Sequence, residues 1–195
     1  GLASRHYALF SKAVTESKSV GLRWLQLAGV THVLRFEGKD DSGMEVVGRV
    51  KTFHEGTLLV LRVPDPRPPA YLVSRVRQAD SPEDALRAFT ASGFDPAEEI
   101  VRLDGQGPAV RAAAPLGGGS ALRIEEMRDG KTTIRVRLDA PKTLVVLDSV
   151  SEGWSARVDG KSADIHPANL VFQSVDLEPG EHAVEVRLAD DALPL

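Results

Sequence analysis

The side chains able to do chemistry in this 195-residue chain are few, and their spacing removes most reactions. Histidines stand at His6, His32, His54, His166 and His182. No two fall at the i, i+2 or i, i+4 spacing that would turn both imidazoles toward one metal. No HExxH run occurs either, so a zinc or iron site is not expected. Cysteine is absent, which excludes thiolate ligands, disulfides and a thiol nucleophile. There is no GxSxG and no Ser/His/Asp ordering of a serine hydrolase. Apart from Glu83/Asp84 and Glu98/Glu99, which follow the cap-like Ser81 and Asp95, carboxylates are adjacent at Asp40/Asp41, Glu125/Glu126 and Asp190/Asp191. Neighbours in a strand face opposite sides, so Glu125 and Glu126 cannot converge on one bond. The other two pairs read as a solvated turn and a solvated tail. Gly117-Gly118-Gly119 lacks the preceding strand and following capped helix that a phosphate cradle requires. No catalytic residue, metal ligand or cofactor is expected in the chain.

One binding chemistry remains. Trp154 could stack on the apolar face of a sugar ring while Asp148, Arg157 or Asn169 hydrogen-bonds its hydroxyls. The competing expectation, and the preferred one, is that Trp154 fills a core in phase with Ala156 and Val158. Asn169 follows His166-Pro167 and reads more readily as a turn residue than as a ligand. His32 and His182 fall inside strands, where a surface or satisfied-core histidine is the ordinary reading.

The elements that hold these residues are mostly strands. Between Leu144 and Leu188 two hairpins can be followed almost residue by residue. Trp154, Ala156 and Val158 alternate with Ser155, Arg157 and Asp159. Asp159-Gly160 then supplies the two positive φ angles of a type I′ turn. Glu178-Pro179-Gly180-Glu181 makes a second turn, after which Val184, Val186 and Leu188 resume the alternation. ALRIEEM and TTIRVRL form a further pair around Arg128-Asp129-Gly130-Lys131. The last 75 or so residues thus carry about six short strands at the spacing of a β-sandwich.

The first hundred residues mix helices and strands. Leu2–Val14 and Val20–Ala28 carry apolar residues at helical spacing, and Gly29 is placed to stop the second helix. VTHVLRF, MEVVGRV and TLLVLRV follow as strands, and the prolines of DPRPP make a stiff connector. AYLVSRVRQ reads as one strand. Ser81 and Pro82 then open a helix that Gly93 should stop. Gln106–Ser120 is the best linker. The expected fold is α+β and mostly β: an antiparallel β-sandwich, jelly-roll-like, in the C-terminal half, two N-terminal helices, and one inserted helix near 81–92. The expected portions are 1–112, mixed helix and strand, and 113–195, the sandwich, packed as one compact unit.

Composition narrows the setting. A net charge of −4 gives no basic field, so nucleic acid is not an expected partner. Apolar content of 42% with 27% charged residues is that of a globular protein. No apolar run approaches the ~18 residues of a membrane span. Gly1–Phe10 lacks the apolar stretch of a signal peptide. With no initiator Met, the expectation is a processed chain or a piece of a longer one.

Several motifs of the hairpin region occur together: Leu144–Leu147 with Asp148-Ser149, Gly153-Trp154, Val158-Asp159-Gly160-Lys161, Asn169 with Phe172, and Pro179-Gly180-Glu181-His182. In that combination they resemble the C-terminal extracytoplasmic domain of the YfhO family of bacterial polytopic membrane proteins, which resemble integral-membrane glycosyltransferases. LRWLQLAGVTHVL and PAYLVSRVRQADSPEDALRAFTASGFDPAEEIVRL are similar to upstream parts of that domain, so the likeness spans nearly the whole chain. Glu152 stands where the family has proline before Gly-Trp, and Val150 and Ser151 replace its tyrosines. The resemblance implies a soluble extracytoplasmic accessory domain anchored at the bacterial cell membrane. Its parent would transfer sugars from a lipid carrier to a cell-envelope acceptor. Partners would be the parent's own transmembrane region and a cell-envelope glycan or lipid-linked sugar, and no catalytic residue carries over. A free-standing carbohydrate-binding or adhesion-type β-sandwich is the alternative. A soluble hydrolase would need two carboxyls brought together from distant strands.

Overall fold

The computed structural model describes residues 18–38, 44–53, 56–91, 93–103 and 119–189. The helix expected over Leu2–Val14, most of the expected linker, and the Asp40/Asp41 and Asp190/Asp191 pairs lie outside them. The fold is α+β and mostly β, as expected, with two helices and fourteen strands among the described residues. The chain divides into two compact units, with the boundary at Pro69/Ala70. The reason is strand pairing. Ala70–Val73 (β4) hydrogen-bonds to a strand beyond residue 140, which carries the chain into the larger unit well before the inserted helix.

In the unit of residues 18–69, helix α1 (Lys18–Leu27) buries Trp24 and Leu27, three apart and on one side. Gly29 at φ 67° ends it as expected: its N–H donates to the Gln26 carbonyl, and the Val30 N–H donates to Leu25. A three-stranded antiparallel sheet follows, made of β1 (His32–Phe36), β2 (Glu45–Lys51) and β3 (Thr57–Arg62) in the order β1-β3-β2. Register sorts its side chains into two faces. Val33 opposite Leu61 and Arg35 opposite Leu59 share one face, on which Leu59 and Leu61 are buried. Leu34 opposite Val60 and Phe36 opposite Leu58 share the other, and Val50 joins them there across from Leu58. Gln26 ties the helix to the proline segment, donating from Nε2 to the Pro64 carbonyl at 2.8 Å.

The unit that begins at Ala70 is built on two antiparallel sheets. One has four strands in the order β12 (His166–Ala168), β13 (Phe172–Leu177), β9 (Lys142–Ser149), β4. The other has five, in the order β11 (Lys161–Ala163), β10 (Trp154–Val158), β14 (Gly180–Leu188), β8 (Lys131–Leu138), β7 (Ala121–Arg128). Ala70, Leu144, Val146, Val175 and Leu177 of the first share one buried cluster with Ile134, Val136, Leu138, Ala156, Val184 and Val186 of the second. Every second residue of β8, β9, β13 and β14 feeds that cluster, which is why the sequence alternates there. The Asp159-Gly160 turn closes a hairpin as expected, with φ of 52° and 77°. Glu178-Pro179 closes none, because it carries the chain from β13 in the four-stranded sheet to β14 in the five-stranded one.

AYLVSRVRQ is two strands, not one. It breaks at Ser74, and Arg75–Gln78 (β5) leaves the four-stranded sheet to pair in parallel with β6 (Glu99–Arg102). A parallel pair needs a crossover, and helix α2 (Pro82–Thr90) supplies it. Ser81 caps α2, accepting from the Asp84 N–H at 3.1 Å and donating to the Asp84 carboxylate at 2.7 Å. The helix stops at Ala91, whose backbone is extended, two residues before the glycine expected to end it.

Candidate functional site

The four residues nominated as ligand contacts do not share one surface. Trp154 and Arg157 both sit on β10, but an odd number of residues apart. Trp154 packs partly buried against the shared core, while Arg157 is exposed on the outer face of the five-stranded sheet. Trp154 therefore takes the core role that its phase with Ala156 and Val158 suggested.

Asp148 lies on the other sheet, on β9, in phase with the core residues Leu144 and Val146. Its carboxyl faces Thr132 of β8. Burial pushes its pKa above the usual carboxylate range, partly opposed by the Thr132 hydroxyl.

Asn169 is wholly buried and belongs to the fold. Its Oδ1 accepts from the Val101 N–H at 2.9 Å, and its own N–H donates to the Val101 carbonyl at 2.8 Å. The side chain and backbone of one turn residue thus bind the edge of β6 as a strand partner would. Asn169 at φ 50° and Leu170 at φ 73° are both left-handed, and Asn tolerates that conformation better than most residues. The turn reading of Asn169 is what this geometry displays.

The polar cluster with most buried chemistry is one the sequence did not announce. Arg102, fully buried at the end of β6, donates from Nη1 to Asp176 Oδ2 at 2.8 Å and from Nη2 to Asp176 Oδ1 at 2.7 Å. Nη2 also donates to Ser174 Oγ at 3.0 Å, and the Thr143 hydroxyl donates to Asp176 Oδ1 at 2.7 Å. Burial works to raise the Asp176 pKa, yet the bonds from Arg102 and Thr143 and the guanidinium charge hold it below the ordinary value. A two-pronged pair of this kind joins β6 to β13 and β9.

Asp176 also reaches a small cavity of about 80 Å³, lined by Ser74, Pro141, Lys142, Thr143 and Glu178 among others. Lys142 Nζ donates across it to Ser74 Oγ at 2.9 Å. Pockets that enclose small-molecule ligands run to roughly 300–1,000 Å³. The space suits a few waters and no sugar ring. Three of the acceptor positions of Asp176 are already taken by Arg102 and Thr143. The cluster is built to hold strands together, with little capacity left for a ligand.

Its signal in the sequence was faint: EIVRL reads as a strand and nothing in it marks a partner for Arg102. In a parallel pair covered on both faces every position is buried, and Glu99–Arg102 is buried throughout. A charge in such a strand must find a partner, and Arg102 finds Asp176 while Glu99 takes Arg77 at 3.0 Å.

Among the described residues no three His, Asp or Glu side chains gather as a metal site, and no helix is long and apolar enough to cross a membrane. Glu125 and Glu126 each pair with bases on the surface, Arg135 for the first and Lys131 for the second. No family model, curated protein or solved structure matches the chain.

Proposed function

We propose that this chain is a soluble extracytoplasmic accessory module of a bacterial membrane protein whose other parts transfer sugar from a lipid carrier to a cell-envelope acceptor. The module has no catalytic role. It packs against the transmembrane region of its parent, where it positions or recognises acceptor glycan. The reading rests on the combined hairpin motifs, Asp148-Ser149, Gly153-Trp154, the Asp159-Gly160 turn and Pro179-Gly180-Glu181-His182.

One structural observation supports the accessory role in particular. On the outer face of the three-stranded sheet, Leu34 is 67% exposed, Phe36 57% and Val50 53%. Phe53, just beyond the end of β2, is fully exposed. Soluble proteins scatter single apolar residues over their surface but rarely gather them on one sheet face unless something covers it. A free-standing sandwich has no use for such a face. A module seated on a larger protein does.

Covalent footprinting tests this. Leu34, Phe36, Val50 and Phe53 should label heavily in the isolated chain and weakly in membranes from the source cells. Equal labelling in both settings would leave the face uncovered and favour the free-standing carbohydrate-binding sandwich.

A further inference from the structure

His182 lies near the start of β14, beside the β10–β11 turn and the connection from β13 to β14, and its ring touches an acceptor on each side. Nδ1 is 2.8 Å from Asp159 Oδ2, in the turn between β10 and β11. Nε2 is 3.0 Å from the Glu178 carbonyl, in the turn between β13 and β14. A neutral imidazole carries one N–H and can satisfy only one of these oxygens; an imidazolium satisfies both. The other Asp159 oxygen accepts from the Ala183 N–H at 2.9 Å, and the Asp159 N–H donates to the Ala183 carbonyl at 2.9 Å. Asp159 is thereby fixed in place, at φ 52°, whichever state the ring adopts.

We propose that His182 is a proton-operated latch: protonated, it ties the β10–β11 turn to the β13–β14 turn, and on losing its proton it releases the Glu178 side. The proton that stays on the neutral ring is the one facing the charged Asp159 oxygen, because that bond is charge-assisted. The Nε2 lone pair then faces the lone pairs of the Glu178 carbonyl, and the turn Glu178-Pro179-Gly180 moves off the ring. Gly180 at φ 136° gives that turn a backbone few other residues could hold.

The surrounding charges agree in sign. The Asp159 and Glu178 carboxylates are the acidic groups near the ring, and Lys161 lies beyond Asp159. Across the ladder His182 faces Val136, which does not titrate. The neighbours Arg135, Arg137 and Glu181 occupy alternate positions and point to the other side of the sheet. The bond to Asp159 is the largest influence and raises the His182 pKa above its ordinary value; burial opposes it, and the Glu178 carbonyl adds a lesser upward push. Stability contributed by the latch is therefore complete below the unfolded histidine value of about 6.5 and lost as pH rises through the folded one.

Imidazole-resolved NMR on the whole chain tests the proposal. At pH 6 both ring nitrogens of His182 should carry protons, with a titration midpoint above 6.5 that falls in Asp159→Asn. Amide exchange over Glu178–His182, corrected for its intrinsic pH dependence, should quicken severalfold across that midpoint in the native chain. It should not change there in His182→Gln. A midpoint at or below 6.5, or exchange that ignores the midpoint, would overturn the latch. Should either variant fail to fold, the native titration and exchange profile decide alone.

Discussion

Asn169 shows how a residue chosen for its hydrogen-bonding capacity can spend that capacity on the fold. Its amide oxygen and its backbone both bind Val101. Asn169→Ala should cost about 1–3 kcal/mol in denaturant unfolding, since it leaves a buried N–H unpaired and a left-handed position without asparagine. A variant of undiminished stability would restore Asn169 as a ligand candidate. Arg102→Met removes the partner of a half-buried carboxylate and should cost on the order of 3 kcal/mol by the same measurement. Asp148 makes the opposite prediction. Its folded pKa is raised, so ionisation is harder in the native state. Its contribution is most favourable below the unfolded carboxyl value of about 3.9 and worsens as pH climbs through the folded one. Asp148→Asn should therefore be more stable than the native chain at pH 7, with the difference vanishing in acid. Trp154 as a core residue could be read from its phase alone. Arg102 with Asp176 could not, because the pair spans 74 positions and neither member carries a local pattern.

At the scale of elements, local chemistry proved legible where it acts within a few residues. The Asp159-Gly160 turn, the Gly29 stop and the Ser81 cap all depend on side chains and φ values inside one turn, and all three formed as expected. Ser81→Ala should lower stability by about 1 kcal/mol. The break at Ser74 was not legible. Ala70–Gln78 has the composition of a continuous strand, and only the parallel pairing of β5 with β6, reached through α2, divides it. Trp154→Ala tests the element that carried the sugar hypothesis. A cost of about 2–3 kcal/mol, below that of a wholly buried tryptophan, marks Trp154 as packing for β10. An unchanged midpoint would return it to the surface as a stacking platform.

For the molecule as a whole, the boundary between units depends on where the chain changes sheet partners, and composition does not record that. The larger unit spends several polar groups on its own fold, in the Arg102–Asp176 cluster, the Asn169 staple and the His182 contacts. Among the described residues, the unit of residues 18–69 leaves Leu34, Phe36 and Val50 exposed on one sheet face. Phe36→Ser with Phe53→Ser should leave the unfolding free energy of the isolated chain within about 0.5 kcal/mol of the native value, as exposed side chains do. A large loss would place those rings in a packed core. Central to the account is the claim that this face and the hairpin motifs belong to a membrane-anchored parent. Reading the coding sequence on both sides of Gly1 and Leu195 tests it most directly. The account predicts several apolar spans of about 20 residues upstream and one after Leu195. A signal peptide directly before Gly1 and a stop just after Leu195 would contradict it.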